Sequence, residues 1–576
     1  MSVLADQAAP ASGASARGGF LPSPLVAVLI AILLILIVPP VVFLINVSLH
    51  ETAANGGLGA FTTRYYGEIL AERHFAQSLL NTLIYALGSG AVGLAIGTAQ
   101  ALIVERTNAP GRSLVFYGAI MSLGVPHVLY VVAWLLLLGR SGPVNDLIAM
   151  LPFSSGGIDV YSMWGMILIE GVGFAPLTFL MMSAALGATD PSFEESGLMS
   201  GAGPLLTFRR ITLRMGVPAF AALLLLIFIK AFESFEVPAL VGLAGNINVL
   251  TTTIWQSAHS TGTPNYGEAG AYSVCLILIV MGLLAPQSRL ARDAHRYQSV
   301  TGKGFRPRTV DLGNMRHPAA ALLLALFFIV TVIPVAMLVF TSLQPFYEGV
   351  TRDSFSRLSL ENYAVLLEPG SFRDSILNTL ILGVATASFV VPFTALCAWL
   401  AARRARGAWI LDQLASAPLV FPALILSVAF LDVFVNSPLP LYGTLLSIII
   451  ASSVRFLPYG MRYSFAGVLQ IHPDLEDAAG LAGASRARMF VRILMPLLSA
   501  SLIGSWLLVF LLSVQTVSLP LMLAGPGSEV MAVTLFDLWQ NGQATELAAM
   551  GVAWIVVMTT VSAVFHMLVK RRVVVE

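Results

Sequence analysis

Ionisable side chains interrupt an apolar run in the first half of the sequence, between Phe228 and Pro238. Lys230 and Glu233 are three residues apart, so they lie on one face of a helix, and Glu236 follows one turn later. Ionisable residues at membrane depth are costly and usually face a cavity or one another. These three residues are therefore candidates to line a path for a solute. The alternative is a structural ion pair, with one acid near the membrane surface.

Two polar residues occupy the corresponding positions in the second half of the chain. Gln515 and Ser518 lie 282 positions after Glu233 and Glu236, respectively. Because polar groups recur at matching places, both halves are predicted to contribute to the same translocation path.

No segment has the residue pattern of a nucleotide-binding or catalytic site. A P-loop requires Gly-x-x-x-x-Gly-Lys followed by Ser or Thr, because backbone amides and the lysine bind the phosphates. Only one of the three lysines, Lys303, follows a glycine, and Gly304 comes next. None of the eight histidines has a spacing typical of metal ligands, and no catalytic constellation is found. The sequence predicts a protein that is not an enzyme and has no cofactor or metal of its own.

Two acidic segments share the same internal spacing, one in each half of the chain. Each predicts a short helix that starts after a proline, with acidic residues in its first turn, where the helix dipole favours them. Each helix ends at a glycine, which readily adopts the left-handed C-terminal conformation. Capping by the acids is the alternative, but capping does not require the glycine and isoleucine to recur at fixed distance. The first segment contains Glu194, Glu195, Gly201 and Ile211, and the second contains Glu476, Asp477, Gly483 and Ile493.

These segments resemble the EAA loop of permeases from binding-protein-dependent importers of the ATP-binding-cassette (ABC) class. That loop reads Glu-Ala-Ala, three residues, Gly, nine residues, Ile, one residue, Leu-Pro. Both copies keep the spacing, but Ser196-Gly197 replaces Ala-Ala, Arg214 replaces Pro, and Asp477 replaces Glu. The resemblance implies that each loop docks on a separate ABC ATPase subunit. Two ATPase copies would then bind ATP and Mg²⁺, and a periplasmic binding protein would deliver the cargo.

The composition indicates that lipid surrounds most of the chain. Of its 576 residues, 57% are hydrophobic and 11% are charged, whereas soluble domains carry roughly 25% charged residues. The net charge of +1 gives no indication of a nucleic-acid partner. Twelve stretches are long enough to cross a bilayer as helices. They lie near residues 25–47, 78–104, 114–138, 160–186, 217–243, 270–286, 318–341, 377–402, 408–435, 443–469, 497–524 and 546–569.

An internal repeat relates the two halves. The segment Ser78–Leu83 matches Ser375–Leu380 at an offset of 297, and the later acidic segments match at 282. Equal span number and orientation make this a parallel duplication. We therefore predict an all-α integral membrane protein with twelve transmembrane helices in two parallel six-helix repeats, the type I ABC importer permease fold. The expected regions are an N-terminal tail (1–20), a first repeat (21–286), a basic linker (287–317) and a second repeat (318–576).

Basic residues next to the spans predict the orientation, because Lys and Arg are retained on the cytoplasmic side. Most of the 31 basic residues fall in segments that are cytoplasmic if the N-terminus is inside, including seven in the 287–317 linker. We therefore expect a multi-pass protein of the bacterial inner membrane, with both termini and the linker in the cytoplasm.

A further resemblance concerns the cargo. Four segments resemble the corresponding parts of fused permeases from ferric-iron importers. They are Phe232–Gly242, Val249–Ile254, Pro526–Val530 and Thr534–Trp539. That likeness implies ferric iron as the cargo; thiamine, phosphonate and polyamine remain alternatives because their importers have related permeases. A secondary transporter of the major-facilitator type has the same span count, but it would not need the duplicated loops.

Overall fold

The structure is a computed structural model. It describes residues 24–52, 58–71, 73–150, 157–187, 196–197, 199–207, 210–211, 213–259, 265–294, 311–366 and 371–573. The Glu194 and Glu195 positions, most of the 287–317 linker and the whole N-terminal tail (1–20) therefore lie outside the described residues.

The described chain is mostly helical. In the first half, the helices are α1 (Pro24–Ser48), α2 (Arg64–Ala71), α3 (Arg73–Arg106), α4 (Arg112–Ser122), α5 (His127–Leu138), α6 (Pro143–Ala149), α7 (Met163–Gly187), α8 (Pro204–Thr207), α9 (Leu213–Phe232), α10 (Leu250–Ala258) and α11 (Tyr266–Ala294). In the second half, they are α12 (Arg316–Phe327), α13 (Ile333–Ser342), α14 (Arg352–Ser356), α15 (Glu361–Val365), α16 (Ser371–Ala402), α17 (Trp409–Ser416), α18 (Ala423–Val435), α19 (Leu445–Leu469), α20 (Asp474–Leu481), α21 (Arg486–Met489), α22 (Met495–Leu497), α23 (Ser499–Gln515), α24 (Ser518–Leu523), α25 (Met531–Gln540) and α26 (Ala544–Val573).

Short elements complete this architecture. Strands β1 (His50–Thr52) and β2 (Leu58–Phe61) pair antiparallel after α1. Wide π-helical turns cover Pro238–Gly242, Phe328–Val332 and Phe490–Leu494, and 3₁₀ turns cover Leu243–Gly245, Gly313–Met315 and Ala417–Val420. The π-helical turn Phe328–Val332 connects α12 to α13, so the two form one continuous span.

Helices lie across all twelve segments that the sequence marks as spans. Within the described residues, eight helices are long and apolar enough to cross a membrane, and two bent helix pairs raise the number to ten. The bends are 105° between Trp409–Val420 and Ala423–Val435, and 79° between Arg486–Leu497 and Ser501–Gln515. The prediction of an all-α membrane protein is confirmed.

Two expected spans are not among these ten, for different reasons. The 217–243 span breaks after α9, at Phe232, and resumes as the turn Pro238–Gly242. The 443–469 span is the 25-residue helix α19, which contains Arg455 and Arg462 among its apolar residues. The two spans contact each other across the repeats through Glu233 and Arg455.

Each repeat is assembled by the same contacts. The helix of the second span packs on those of the fourth and fifth, as α3 on α7 and α9 in the first repeat and α16 on α19 and α23 in the second. The first helix of each repeat also crosses to the other: α1 packs on α17 and α18, and α13 packs on α5. This exchange makes the two repeats one bundle.

A glycine lets the second and fourth spans approach closely in each repeat, but the two repeats place it on opposite helices. In the first, a Cβ on Gly97 would lie 2.6 Å from Cβ of Thr178. In the second, a Cβ on Gly460 would lie 2.5 Å from Oγ1 of Thr394. Because Gly97 corresponds to Thr394 and Thr178 to Gly460, the Gly/Thr contact is preserved with its partners exchanged. Small residues commonly permit such close packing in membranes.

The repeated Ser-x-x-Asn-Thr motif caps a short helix. The Thr82 hydroxyl accepts a 3.0 Å hydrogen bond from the Leu250 backbone N–H, and the Thr379 hydroxyl accepts one of 2.8 Å from Met531. These N–H groups open α10 and α25, where no intrahelical acceptor is available. The internal repeat thus reflects a tertiary cap formed twice. The motif's asparagines extend it: Asn81 donates to the Asn248 carbonyl, and Asn378 donates to that of Glu529.

Thr379→Val is expected to reduce the free energy of unfolding by about 1–3 kcal/mol, because it leaves the buried Met531 N–H without an acceptor at nearly constant side-chain volume. Thr82→Val should behave alike. Thermal unfolding of the purified protein in detergent measures the effect. Thr560→Val is the matched control, since that hydroxyl is exposed and bonds only to the Val556 carbonyl in its own helix. Equal melting temperatures for the Thr379 and Thr560 variants would contradict this cap.

Candidate functional site

The second acidic segment forms the short helix α20, as the sequence predicts. Gly483 follows it with φ +79°, and the Ala484 N–H donates to the Ala479 carbonyl at 3.0 Å. This is the glycine-dependent ending of a helix. Pro473 occupies the N-cap position of α20 and makes no side-chain cap hydrogen bond, and the Asp474 N–H donates to His472 Nδ1 at 3.4 Å. Capping by the acids is therefore not realised in this copy.

The first copy ends in the same way. Gly201 has φ +82°, and the Ala202 N–H donates to the Gly197 carbonyl at 3.1 Å. Ile211 packs on this turn: a Cβ on Gly197 would lie 2.7 Å from Cδ1 of Ile211. The departure from Ala at position 197 is thus explained by the close contact with Ile211. Ile493, at the matching position of the second copy, is partly buried against the core.

Glu476 fixes α20 to the C-terminal end of the second repeat's second span, α16. Its carboxylate accepts hydrogen bonds from Arg403 Nε at 2.7 Å and from Trp399 Nε1 at 2.9 Å. Arg403 also donates to the Ile471 carbonyl at 2.9 Å, and the Trp399 ring stacks on Phe490. Glu476 therefore faces its own bundle, whereas the adjacent Asp477 is exposed.

The first repeat has an arginine at the position that matches Arg403. Arg106 is buried at the end of α3 and donates to the Leu186 carbonyl at 3.1 Å. An arginine thus stabilises the chain next to the paired loop in both repeats.

Two apolar side chains project from the paired loops at matching positions. Met199 is 90% exposed and Leu481 is 92% exposed, and the two are 282 positions apart. Both loops lie beyond the ends of the spans, at the face that also carries the end of the linker.

At the end of the linker, the Gly313 N–H and the Asn108 side-chain amide lower the pKa of Asp311 by donating hydrogen bonds to its carboxylate.

The ionisable residues between Phe228 and Pro238 lie at a break in the fifth span. Helix α9 ends at Phe232, and Pro238 has no N–H to donate to the Ser234 carbonyl four residues earlier. That carbonyl instead accepts a 2.8 Å hydrogen bond from the Thr251 hydroxyl. The matching span of the second repeat breaks after Gln515, before α24 begins at Ser518.

The predicted path residues contact the second repeat. Glu233 forms an ion pair with Arg455 at 2.8 Å, and both side chains are only 9% exposed. Lys230 Nζ lies 5.9 Å from the centre of the Tyr459 ring. Ser518 Oγ donates to Glu236 at 3.4 Å. The alternative of a structural ion pair is thus realised with a different partner, since Glu233 pairs with Arg455.

Arg455 lies in a different environment from the one that the sequence suggests. Arg455 and Arg462 are the two arginines of the tenth span, and their long side chains are expected to extend to the membrane surface, but Arg455 is buried. Besides Glu233, it donates to the Phe421 carbonyl at 2.6 Å, at the 105° bend between α17 and α18. Its place near the middle of a span, where a lone charge is costly, was the available signal.

A second buried polar contact lies within the first repeat. Glu170, in the fourth span, is 1% exposed and lies 2.9 Å from His127 Nε2 at the start of α5. The sequence does not reveal this partner, because 43 positions separate the two residues. Among the described residues, no group of three or more His, Cys, Asp or Glu side chains could hold a metal ion.

Comparisons with known proteins agree with the internal repeat. Residues 91–292 and 391–575 each match the family described as the binding-protein-dependent transport system inner membrane component. A Haemophilus influenzae protein named for ferric transport is 27% identical over 80% of this chain and 72% of its own length.

Two further relatives differ in how much of the chain they match. The ferric transport system permease protein FbpB of Actinobacillus pleuropneumoniae is 25% identical over 87% of this chain and 72% of its own length. A Salmonella choleraesuis permease named for 2-aminoethylphosphonate transport is 28% identical over 40% of this chain and 80% of its own length. Because the family match occurs twice and covers more than half of the sequence, the chain belongs to the inner membrane components of binding-protein-dependent transport systems, as a fused permease with two copies of the family unit.

Proposed function

We propose that this permease moves ferric iron from a periplasmic binding protein into the cytoplasm, driven by ATP that separate subunits hydrolyse. The main support for the cargo is the extent of similarity. Relatives named for ferric transport match 80% and 87% of the chain, whereas the phosphonate relative matches 40%. The similarity to ferric permeases therefore includes both repeats and the segments between them.

The paired loops are the proposed docking sites for two copies of an ABC ATPase. Met199 and Leu481 support this proposal, since each presents an exposed apolar side chain at the same position of a short helix outside the spans. Exposed apolar side chains at an end of the bundle are suited to bind a partner's groove. In the second loop, Glu476 holds the docking helix on α16, which lets the helix transmit force into the bundle.

ATP and Mg²⁺ belong to the partner subunits in this proposal. None of the three lysines lies in a P-loop pattern, so the chain contributes the path and the docking surfaces. With the loops in the cytoplasm, both termini and the 287–317 linker are also inside, in agreement with the distribution of basic residues. The opposite ends of the spans, where α10 and α25 lie, would receive the cargo-loaded binding protein from the periplasm.

The transport cycle is a population shift between two conformations. Binding protein and ATP favour the outward-open conformation, and hydrolysis restores the inward-facing one, because each ligand binds one state more tightly. Of the proposed path residues, Lys230, Glu233, Glu236 and Ser518 make contacts between the two repeats, which is where such a shift would open a passage. Gln515 is included because it corresponds to Glu233 in the repeat.

Reconstitution tests the cargo and the class together. The chain, its ATPase and its binding protein are placed in proteoliposomes, and uptake of labelled ferric iron is compared with uptake of thiamine, a polyamine and 2-aminoethylphosphonate. We expect iron uptake that requires both ATP and the binding protein. ATP-dependent uptake of another solute would replace iron as the cargo. Uptake driven by an ion gradient without ATPase would support a secondary transporter instead. The matched control is an ATPase variant that lacks its P-loop lysine.

A further inference from the structure

We propose that the Glu233–Arg455 ion pair is a gate that holds the two repeats closed across the translocation path, and that it breaks and re-forms in every transport cycle. The inference rests on the proposed import function and adds the contact that controls the path. The residues belong to different repeats, 222 positions apart, and their charged groups lie 2.8 Å from each other.

The pair lies deep in the bundle. Arg455 is ten residues into the 25-residue helix α19, or about 15 Å from the start of that helix. Both side chains are 9% exposed, and the neighbouring Phe232, Phe235 and Val517 are almost completely buried. In this conformation, the junction between the repeats is therefore sealed at the level of the ion pair.

Arg455 also connects two broken spans. Glu233 follows the last residue of α9, and Phe421, whose carbonyl accepts from Arg455 at 2.6 Å, lies at the bend before α18. Irregular backbone inside a membrane protein is tolerated where it is buried or lines a cavity. Segments that end at such breaks can change direction without unwinding a continuous helix. The Arg455 guanidinium binds two of these segments, at Glu233 and at Phe421, and fixes their relative position.

Two weaker contacts lie beside the ion pair, and the three contacts together form what we call the seam between the repeats. Lys230 lies over the Tyr459 ring, one turn along α19 from Arg455, and Ser518 donates to Glu236. Each joins a residue of the first repeat to one of the second. Glu233 lies between Lys230 and Glu236 in the sequence, so the ion pair is the central contact of the three.

An ion pair suits a gate better than an apolar seal does. In the closed state the two charges neutralise each other in a poorly hydrated site, but the cost of dehydrating them offsets much of the attraction. When the path opens and water enters, both charges become hydrated again. The free energy of hydration then offsets the lost attraction between the two charges. An apolar seal would gain nothing from wetting.

Only one of the two repeat-related sites carries an ion pair. The positions that correspond to Glu233 and Arg455 are Gln515 and Gly173, 282 residues away in each case. Gly173 has no side chain, and a Cβ there would lie 2.9 Å from the His127 ring. A second ion pair related by the repeat therefore cannot form, and the two halves differ in their part in gating.

The test measures two properties of Glu233→Gln and Arg455→Gln. One is the ATPase activity of the full complex without binding protein, and the other is labelling of a cysteine placed at Ser518 in a chain with Cys275 and Cys397 replaced by Ala. Ser518 is buried beside the gate. We expect both readouts to rise roughly fivefold or more, a change typical of lost coupling between two states. The charge exchange Glu233→Arg with Arg455→Glu should bring both readouts back towards the wild type.

Controls separate gating from lost stability and from an error in the proposed function. Thr379→Val lowers stability without touching the seam and should leave labelling unchanged. Labelling needs no ATPase or cargo, so it tests the gate even if the proposed partners or iron are wrong. If the Gln variants fail to fold, Arg455→Lys keeps the charge with a shorter reach and should still increase labelling. Wild-type labelling in the folded single variants, or no recovery in a folded charge-exchange variant, would overturn the gate.

Discussion

Replacing Leu481 with Glu is expected to abolish ATP-driven transport and to release the ATPase subunit from the second docking loop. The side chain is 92% exposed on α20, and it matches Met199 in the first repeat. If both insert into an apolar groove of the ATPase, a carboxylate would be buried there without a partner. Central anchors of this kind contribute about 2 kcal/mol or more to binding. Losing one would weaken the affinity between permease and ATPase roughly thirtyfold.

Copurification of the ATPase with the tagged permease, together with ATPase activity in proteoliposomes, measures the effect. Leu481→Met is the matched control, because it retains an apolar side chain of similar volume and should assemble normally. Met199→Glu tests the first loop separately, and the double variant should retain no ATPase. Wild-type assembly of both single Glu variants would remove the docking role of these side chains. Folding is monitored by the melting temperature, which should not change because both positions are exposed.

The paired loops are the part of the site that the sequence predicts best. Gly201 and Gly483 adopt the expected left-handed conformation, because helix endings depend on local backbone geometry that one residue can specify. The recurrence of Thr82 and Thr379 was visible as a repeat, but its physical basis was not. The N–H groups that these hydroxyls cap belong to helices more than 150 residues away in the chain.

The path was only partly predictable. The local spacing of Lys230 and Glu233 suggested an ion pair between them, since residues three apart share a helix face. The structure breaks the helix at Glu233, so this geometry does not persist, and Arg455 from the other repeat becomes the partner. A single sequence does not identify a partner 222 positions away. The mid-span place of Arg455 and the balance of two acids against Lys230 and Arg455 indicate only that these charges need partners.

Arg403→Ala is expected to uncouple ATP hydrolysis from transport while the ATPase stays bound. The substitution removes the charged partner of Glu476 and the hydrogen bond to the Ile471 carbonyl, so α20 loses most of its attachment to α16. Hydrogen bonds to charged groups contribute about 1.5–3 kcal/mol each, and both side chains here are mostly buried. We expect roughly tenfold less transport for each ATP hydrolysed.

The ratio of solute taken up to ATP hydrolysed measures this effect, and it distinguishes Arg403 from Leu481, whose replacement should lower hydrolysis itself. Glu476→Gln retains an oxygen acceptor for Trp399 Nε1 but loses the charge, so it should fall between Arg403→Ala and the wild type. Asp477→Asn is the matched control, because that neighbouring acid is exposed. An unchanged ratio in Arg403→Ala would mean that α20 transmits motion without this anchor. The force would then have to enter the bundle through the packing of Phe490 on Trp399, which Phe490→Ala would test directly.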